Sequence, residues 1–517
     1  MNAPPQHFNF ASEVLARAAT QPQAPAYRDD SGTLSYGELA DRICRCAAAL
    51  IALGVRRDER VLLLAHDGLD WPVAFLGALY AGIVPVAVNT MLTADDYAYM
   101  LGHSRARVAI VSPALADTLA QAMARAPHAI EHVVTCGGQS AAPQHPAFAD
   151  WLAHAQAPAT CADTLADDMA FWLYSSGSTG RPKAAVHTHA NLWWTHATYA
   201  RDVLALTPGD TVFSAAKLFF AYGLGNALTF PLSAGASVVL MAERPTPQAV
   251  WKRIVEHRPS VFFGVPTLYA AMLAIADAPT RDAVAMRVCV SAGEALPKEL
   301  GERFSARYGT EILDGIGSTE MLHIFLSNRG GAVRYGSTGT PVAGYDVDLR
   351  GDSGPVADGD IGDLYVRGPS AALFYWADRA RTRATFQGEW TKSGDKYSRS
   401  ADGYYTYAGR ADDMLKVSGQ YVSPFEVEAA LMAHQAVLEA AVIGAPDADN
   451  LTRAKAYVVV RAGVTAGDAL ADELKTFVKD RLAPFKYPRL IEFIDELPKT
   501  ATGKIQRFRL RERASAA

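Results

Sequence analysis

Apolar positions recur along the first third of the chain in two alternating rhythms. In "SYGELADRICRCAAALIALG", Leu39, Ile43, Cys46 and Leu50 return at helical spacing. Ser35 and Glu38 just upstream form a capping box that predicts where this helix starts. The runs "ERVLLLAHD", "ARVAIVSP" and "EHVVTCGG" read as buried strands, with helical stretches between them. Strands apolar on both faces and separated by helices imply mostly parallel sheets covered on both sides. Two longer runs, "WPVAFLGALYAGIVPVAVN" and "FFAYGLGNALTFPLSAGASVVLM", imitate membrane spans. Pro and Gly interrupt both, and each turns β-branched before its end, which predicts a buried helix followed by a buried strand.

The texture then changes twice. "GGQSAAPQHPAFADWLAHAQAPATCADT" reads as a loose Ala/Pro-rich connection. After residue 330, "GSTGTPVAGYDVDLRGDSGPVADGDIGDLYVRG" has short strands and frequent Gly turns, which fits a small barrel-like β unit. Beyond "GRADDMLKVSGQ" a fresh run of helix, strand, helix and strand extends to "IEFIDELP", enough for a small α/β domain. There are no internal repeats, and 517 residues suit several domain-sized units.

Charge and cysteine content remove whole classes of function. A net charge of -5 lacks the basic excess of a nucleic-acid footprint. Five cysteines in so long a chain are no disulfide framework. Cys44 and Cys46 mimic a ligand pair, but no second pair or His cluster follows, and Cys46 falls on the apolar helix stripe, so both read as structural. "MNAPPQHFNF" has neither the basic nor the apolar region of a signal peptide, so a cytoplasmic location is expected.

Candidate chemistry begins at "YSSGSTGRPKAAVHTH", Tyr174 to His189. A strand, "DMAFWLYSS", runs into a loop of Ser175, Ser176, Gly177, Ser178, Thr179 and Gly180. Glycines let the backbone bend until several N–H groups converge on an anion, and the hydroxyls add donors. In the nucleotide loop G-x-x-x-x-G-K-[ST], lysine directly follows the last glycine. Here Arg181 and Pro182 intervene before Lys183.

The full string resembles the signature loop of the acyl-adenylate-forming superfamily, which includes acyl- and aryl-CoA ligases, luciferases and peptide-synthetase adenylation domains. The superfamily's other motifs follow in order: "SAGEALP" (Ser291 to Pro297), "DGIGSTE" (Asp314 to Glu320), "SGD" (Ser393 to Asp395), "GRADDMLKVSG" (Gly409 to Gly419) and "PKTATGKIQR" (Pro498 to Arg507). One departure is Asp314, at a place where the family usually carries an aromatic. The resemblance spans essentially the whole chain.

It implies a large N-terminal domain, residues 1–411, of stacked sheets with the β-barrel subdomain, and a small mobile C-terminal α/β domain, residues 412–517. It also implies an enzyme that joins a carboxylate to the α-phosphorus of ATP, releases pyrophosphate and passes the acyl group to a thiol. Carried over by motif, Ser175 to Gly180 and Lys183 hold phosphates. Gly293, Glu294, Ala295, Asp314 and Gly315 border the adenine, and Thr319 meets phosphate oxygens. Asp395, an acceptor-only carboxylate, suits the ribose hydroxyls, with Arg410 beside it. Glu320 is the expected Mg²⁺ anchor, since Mg²⁺ takes one or two protein carboxylates plus phosphates and water. Lys504 is the expected catalytic lysine, brought in by closure of the small domain about Asp412. Gly419 borders the thiol channel of coenzyme A in the second pose.

Among such enzymes the chain resembles benzoate–CoA ligases most. "KLFFAYGLGNAL" and "GSTEMLHIFLSN" look like their acid-pocket segments, which places Ala221, Tyr222, Gly317, His323 and Ile324 around the acid. None of the five is Lys, Arg, Asp or Glu, so a second fixed charge on the substrate would go unpaired. The expected reaction is benzoate + ATP + CoA giving benzoyl-CoA, AMP and pyrophosphate. Its alternatives are a hydroxy- or aminobenzoate–CoA ligase, or a stand-alone enzyme loading a carrier protein, whose serine segment does not appear. A luciferase-type oxygenase and a non-catalytic acid sensor fit less well, the sensor because it would have no use for Lys504. Expected partners are the aryl carboxylate, ATP and CoA, with no nucleic acid, no membrane, and a homodimer as the one assembly allowed for.

Overall fold

The computed structural model describes residues 2–138, 142, 144–155, 160–175, 181–351, 354–411, 413–417, 420–446, 452–482, 486–499 and 505–516. The βαβ rhythm of the sequence becomes two sheets. In the first, strands Arg60–Leu64, Val84–Ala87, Val108–Val111, His132–Thr135 and Met169–Ser175 are parallel neighbours. It ends in two antiparallel strands, Lys183–Thr188 and Phe374–Tyr375. The second sheet holds parallel strands Pro25–Asp29, Ser237–Val239, Thr211–Ser214, Val261–Gly264, Val288–Ser291 and Ile312–Gly317, with antiparallel strands at both edges.

Both span-like runs resolve as the pattern requires. The first is helix Asp70–Tyr80 followed by strand Val84–Ala87. The second is a helical stretch from Ala221 to Ala234 followed by strand Ser237–Val239. Among the described residues no helix is long and apolar enough to cross a membrane. Helix Tyr36–Ala52 starts at the Ser35–Glu38 capping box and buries Leu39, Ile43, Cys46 and Leu50. Cys46 earns its place by size: a Cβ on Gly77 of the next helix would stand 2.6 Å from its own Cβ. All five thiols are free.

Among its described residues, the connection after residue 137 contains a short helix, Phe148–Ala153. The glycine-rich region forms a six-stranded antiparallel sheet that includes Asp346–Gly351, Ile361–Arg367, Trp390–Arg399 and Tyr405–Arg410. The C-terminal order differs from the reading of the sequence. Two strands, Val437–Pro446 and Thr452–Val460, pair as a hairpin between helices Pro424–Met432 and Asp468–Lys479. Strand Leu490–Phe493 then joins parallel to the second of them, and helix Arg507–Ala516 ends the chain. The missed strand has an ordinary cause: "TRAKAYVVV" begins with charge and small residues, and its apolar character gathers only at its end.

Candidate active site

The glycine-rich motif is flanked by the antiparallel strands Met169–Ser175 and Lys183–Thr188. Ser175 and Lys183 stand opposite each other in the antiparallel pair that flanks it. Ser176, Gly177, Ser178, Thr179 and Gly180 lie outside the described residues. The hydroxyl of Ser175 is buried and has no hydrogen-bond partner, a donor left over at the base of the loop.

Lys183 does not point into solvent. Its Nζ lies 3.0 Å from Oε1 of Glu320 and donates to the Tyr375 hydroxyl across 2.6 Å. Tyr375 in turn donates to the same Oε1 across 2.7 Å. Glu320 is buried, which alone would raise its pKa. The Lys183 charge and the Tyr375 hydroxyl outweigh that and hold the carboxyl below its ordinary value. The next residue back, Thr319, is fixed by its carbonyl, which accepts from Nε2 of His187 at 2.8 Å. Nδ1 of His187 accepts from Asn191 at 2.8 Å, so the tautomer is set from both sides. Burial pushes His187 down to about 4, which keeps it neutral.

Between Glu320 and His323 the chain makes a tight turn in which buried Leu322 takes φ 65°. A branched side chain in the left-handed region is strained, typically by about 1–3 kcal/mol. The turn reverses the strand so that Ile324 pairs with Gly317. This brings Gly317, His323 and Ile324 together and sets His323 against Tyr222. His323 is flanked by Phe230 at 4.4 Å, Tyr199 at 5.4 Å and Tyr222 at 5.6 Å between ring centroids. Its Nε2 donates to Asn226 Oδ1 at 3.0 Å, and its Nδ1 is buried without a hydrogen-bond partner. Burial pulls its pKa down to about 3, so the imidazole is neutral. Tyr222 is held by its hydroxyl, which donates to the carbonyls of Gly264 at 3.2 Å and Val290 at 3.3 Å. Ala221, at the start of the same helix, is half-buried.

The nucleotide candidates fall in three further groups. Gly293, Glu294 and Ala295 follow strand Val288–Ser291 at its carboxyl end, where ligands settle in open α/β sheets. Gly293 has φ 87°, a conformation that favours glycine, and Glu294 accepts from the Thr267 hydroxyl at 2.8 Å. Asp395 and Arg410 are cross-strand partners in the antiparallel sheet, 2.9 Å apart. Asp314 and Gly315 sit on the strand that leads to Glu320, but the Asp314 carboxyl turns into the core. Burial raises its pKa well above the carboxylate range, with the Leu296 and Gly315 backbone amides opposing.

Asp412, Gly419 and Lys504 lie outside the described residues. Their neighbours are well tied: Arg511 donates to Asp413 at 3.0 Å, and Arg507 binds both oxygens of buried Glu428 at 2.7 Å. Sequence reasoning missed Tyr375, His187 and Asn226. His187 had a signal, because Lys183, Ala185 and His187 alternate onto one face of their strand. Asn226 had one too, standing inside "KLFFAYGLGNAL", while Tyr375 had none, lying in an apolar string that reads as core.

The AMP-binding enzyme family model matches residues 14–376, and the model of the AMP-binding enzyme C-terminal domain matches 426–504. The chain is 54% identical to the benzoate–CoA ligase of Thauera aromatica, over 98% of its own length and 96% of the relative's. It is 48% identical to a 4-hydroxybenzoate–CoA/benzoate–CoA ligase of Rhodopseudomonas palustris, over 98% and 95%. A crystal structure of a benzoate CoA ligase from Burkholderia xenovorans LB400 superposes with TM-score 0.92 at 57% identity, covering 98% of this chain and all of that one. With its motifs in sequence order and these two matches over most of its length, the chain belongs to the AMP-binding enzyme family.

Proposed function

We propose that the protein is an AMP-forming aryl acid–CoA ligase acting in the cytoplasm, with plain benzoate as its preferred acid. The observation that carries this reading is the aromatic cluster around buried, neutral His323; none of the five residues proposed for the acid pocket bears a fixed charge. The full-length similarity to ligases named for benzoate supports it. Burying an aromatic ring is worth about 2–3 kcal/mol, enough to favour a flat apolar acid.

In the first half-reaction a carboxylate attacks the α-phosphorus of ATP, and the two anions must be brought together against repulsion. Lys504 delivers positive charge to that junction, while Ser175 to Gly180 and Lys183 hold the departing pyrophosphate. Asp395 accepts from the ribose hydroxyls, with Arg410 keeping its carboxylate in place. Mg²⁺, when bound, supplies positive charge beside the α-phosphate. The donor set fits it: Glu320, a single buried carboxylate beside Lys183, would hold the ion, which takes one or two protein carboxylates plus phosphate and water.

For the second half-reaction the unit from residue 412 onward turns about Asp412, and Gly419 comes to the thiol path. That Asp413 is already fastened by Arg511 supports a pivot immediately before it.

A second reading, a ligase for hydroxy- or aminobenzoates, has one observation in its favour. Nδ1 of His323 is a buried acceptor without a donor, and a ring substituent could supply one. An added hydroxyl in an apolar pocket is rejected by only ~1–3 kcal/mol. Acid-dependent pyrophosphate exchange across benzoate, hydroxybenzoates and aminobenzoates tests the ranking, and a requirement for free CoA separates ligase from carrier loader. A tenfold higher kcat/KM for a hydroxybenzoate would overturn benzoate as the preferred acid.

A further inference from the structure

Lys183 and Glu320 neutralise each other, and Tyr375 touches both. A phosphate-binding lysine and a metal-binding carboxylate cannot do their work while they remain each other's partner. The tyrosine is not there by accident of packing. Its strand pairs with the strand that begins at Lys183, Tyr375 opposite Ala185. The segment carrying it also grips the Glu320 turn through its backbone. The Ala372 N–H donates to the Glu320 carbonyl at 2.7 Å, and the Ser370 hydroxyl donates to the Met321 carbonyl at 2.7 Å. Asn191, which fixes His187, also donates to the Ala371 carbonyl at 3.2 Å. Residues 370–375 therefore hold the turn at Glu320 and Met321, where it presents the carboxylate.

We propose that Tyr375 is a positioning residue for a charge exchange: Lys183 guards Glu320 in the nucleotide-free enzyme, and entry of metal-nucleotide transfers Glu320 to the cation and Lys183 to the phosphates. This rests on the reading of Glu320 as metal anchor and Lys183 as phosphate contact. Throughout the exchange the Tyr375 hydroxyl keeps donating to Oε1, so the carboxylate stays aimed when its lysine departs. The tyrosine has one proton and uses it on Glu320, while its oxygen accepts from Lys183 only in the resting pair. The exchange couples the two ligands. ATP arriving without a cation draws Lys183 away and leaves a buried carboxylate with no cation beside it, which is costly. ATP arriving with a cation leaves no charge unpaired.

The test is the affinity of ATP, measured by titration calorimetry without any acid substrate, in EDTA and in excess magnesium. The ratio of the two dissociation constants reads the coupling. A purely structural role for Tyr375 would move both constants together and leave the ratio alone. Wild-type enzyme is expected to bind ATP at least tenfold more weakly in EDTA. Glu320→Gln removes the stranded charge, so its ATP affinity in EDTA should exceed that of the wild type at least fivefold and its ratio should shrink. Tyr375→Phe removes the remaining side-chain donor, so its ratio should grow at least threefold. A Tyr375→Phe ratio equal to that of the wild type, or a Glu320→Gln protein no tighter for ATP in EDTA, overturns the proposal. Should Tyr375→Phe not fold, the Glu320→Gln comparison alone still decides. If magnesium-ATP fails to bind the wild type, both this proposal and the ligase reading fall. If the coupling appears but no aryl acid drives pyrophosphate exchange, only the ligase reading falls.

Discussion

Nε2 of His323 donates to Oδ1 of Asn226 across 3.0 Å, and that single bond decides which nitrogen of the ring carries the proton. Both residues are buried, and a Cβ on Gly225 would come within 2.3 Å of the imidazole, so the ring fits against bare backbone. Asn226→Leu should leave the imidazole donor unpaired, a loss of about 1–3 kcal/mol. The expected outcome is at least a tenfold fall in kcat/KM for benzoate with KM for ATP unchanged. Steady-state kinetics with each substrate varied checks it. An equal rise in both KM values would mean general damage instead of a disturbed acid pocket.

Gly317 is a packing necessity. A Cβ there would lie 2.4 Å from the carbonyl oxygen and 2.5 Å from the carbonyl carbon of His323. These are backbone atoms of the reversed strand, with no rotamer to move aside. Gly317→Ala should push residues 323–324 away from their places and cost about 1–3 kcal/mol, the usual range for overpacking. Benzoate turnover should drop more than tenfold, while a smaller acid tolerates the change no better. Recovery of activity with smaller acids would show that the methyl merely fills the pocket.

Asp314 makes stability depend on pH in a direction that can be worked out. Burial raises its folded pKa above the unfolded value. The folded state therefore binds the proton more tightly, and stability is lost as pH rises from the unfolded value through the folded one. Asp314→Asn removes that loss because its amide never ionises. Thermal melts should show a larger gain from the substitution at pH 8 than at pH 5. A gain that is equal at both values, or larger at pH 5, would contradict a protonated Asp314.

Lys504→Ala should separate the two half-reactions under the proposed mechanism. Adenylate formation, followed by pyrophosphate release, is expected to fall at least a hundredfold, since one well-placed electrostatic donor is worth about 10²–10³ in rate. Thioester formation from supplied benzoyl-adenylate should change less than fivefold. Equal losses in the two assays would remove the lysine from its assigned step.

Much of this was legible in the sequence, for identifiable reasons. Strand runs such as Val108–Val111 are apolar at every position because both sheet faces are covered, so periodicity and burial agree. Ser35, Leu39 and Ile43 could be read because capping and helical spacing are local. Tyr375 could not be read, since its meaning depends on an edge strand arriving beside Lys183 from almost two hundred residues away. Asp314 was legible as an oddity but not as a core residue, because a carboxyl in a motif suggests contact with a ligand. The C-terminal hairpin was missed where its second strand opens on Thr452, Arg453 and Lys455, polar residues at a strand end that look like a loop.

Arg507 ends the motif that carries Lys504, and its partners explain why an arginine belongs there. Its guanidinium reaches both oxygens of Glu428 at 2.7 Å, and Glu428 also accepts the Val442 N–H at 2.7 Å. The side chain of Glu428 is only 4% exposed, so removing its cation strands a charge in the core of the C-terminal unit. Breaking such a pair from one side typically costs about 3–5 kcal/mol, whereas replacing both partners by apolar groups can be neutral. Arg507→Met should thus lower the melting temperature clearly. Glu428→Leu combined with Arg507→Met should restore part of the loss, though the Val442 amide then lacks its acceptor. Because Arg507 also lies 3.9 Å from Asp413, beside the proposed pivot, the double variant separates stability from motion. Regained melting temperature with adenylation intact and thioester formation still slow would place the clamp in the domain turn. Full recovery of both half-reactions would assign it to stability alone.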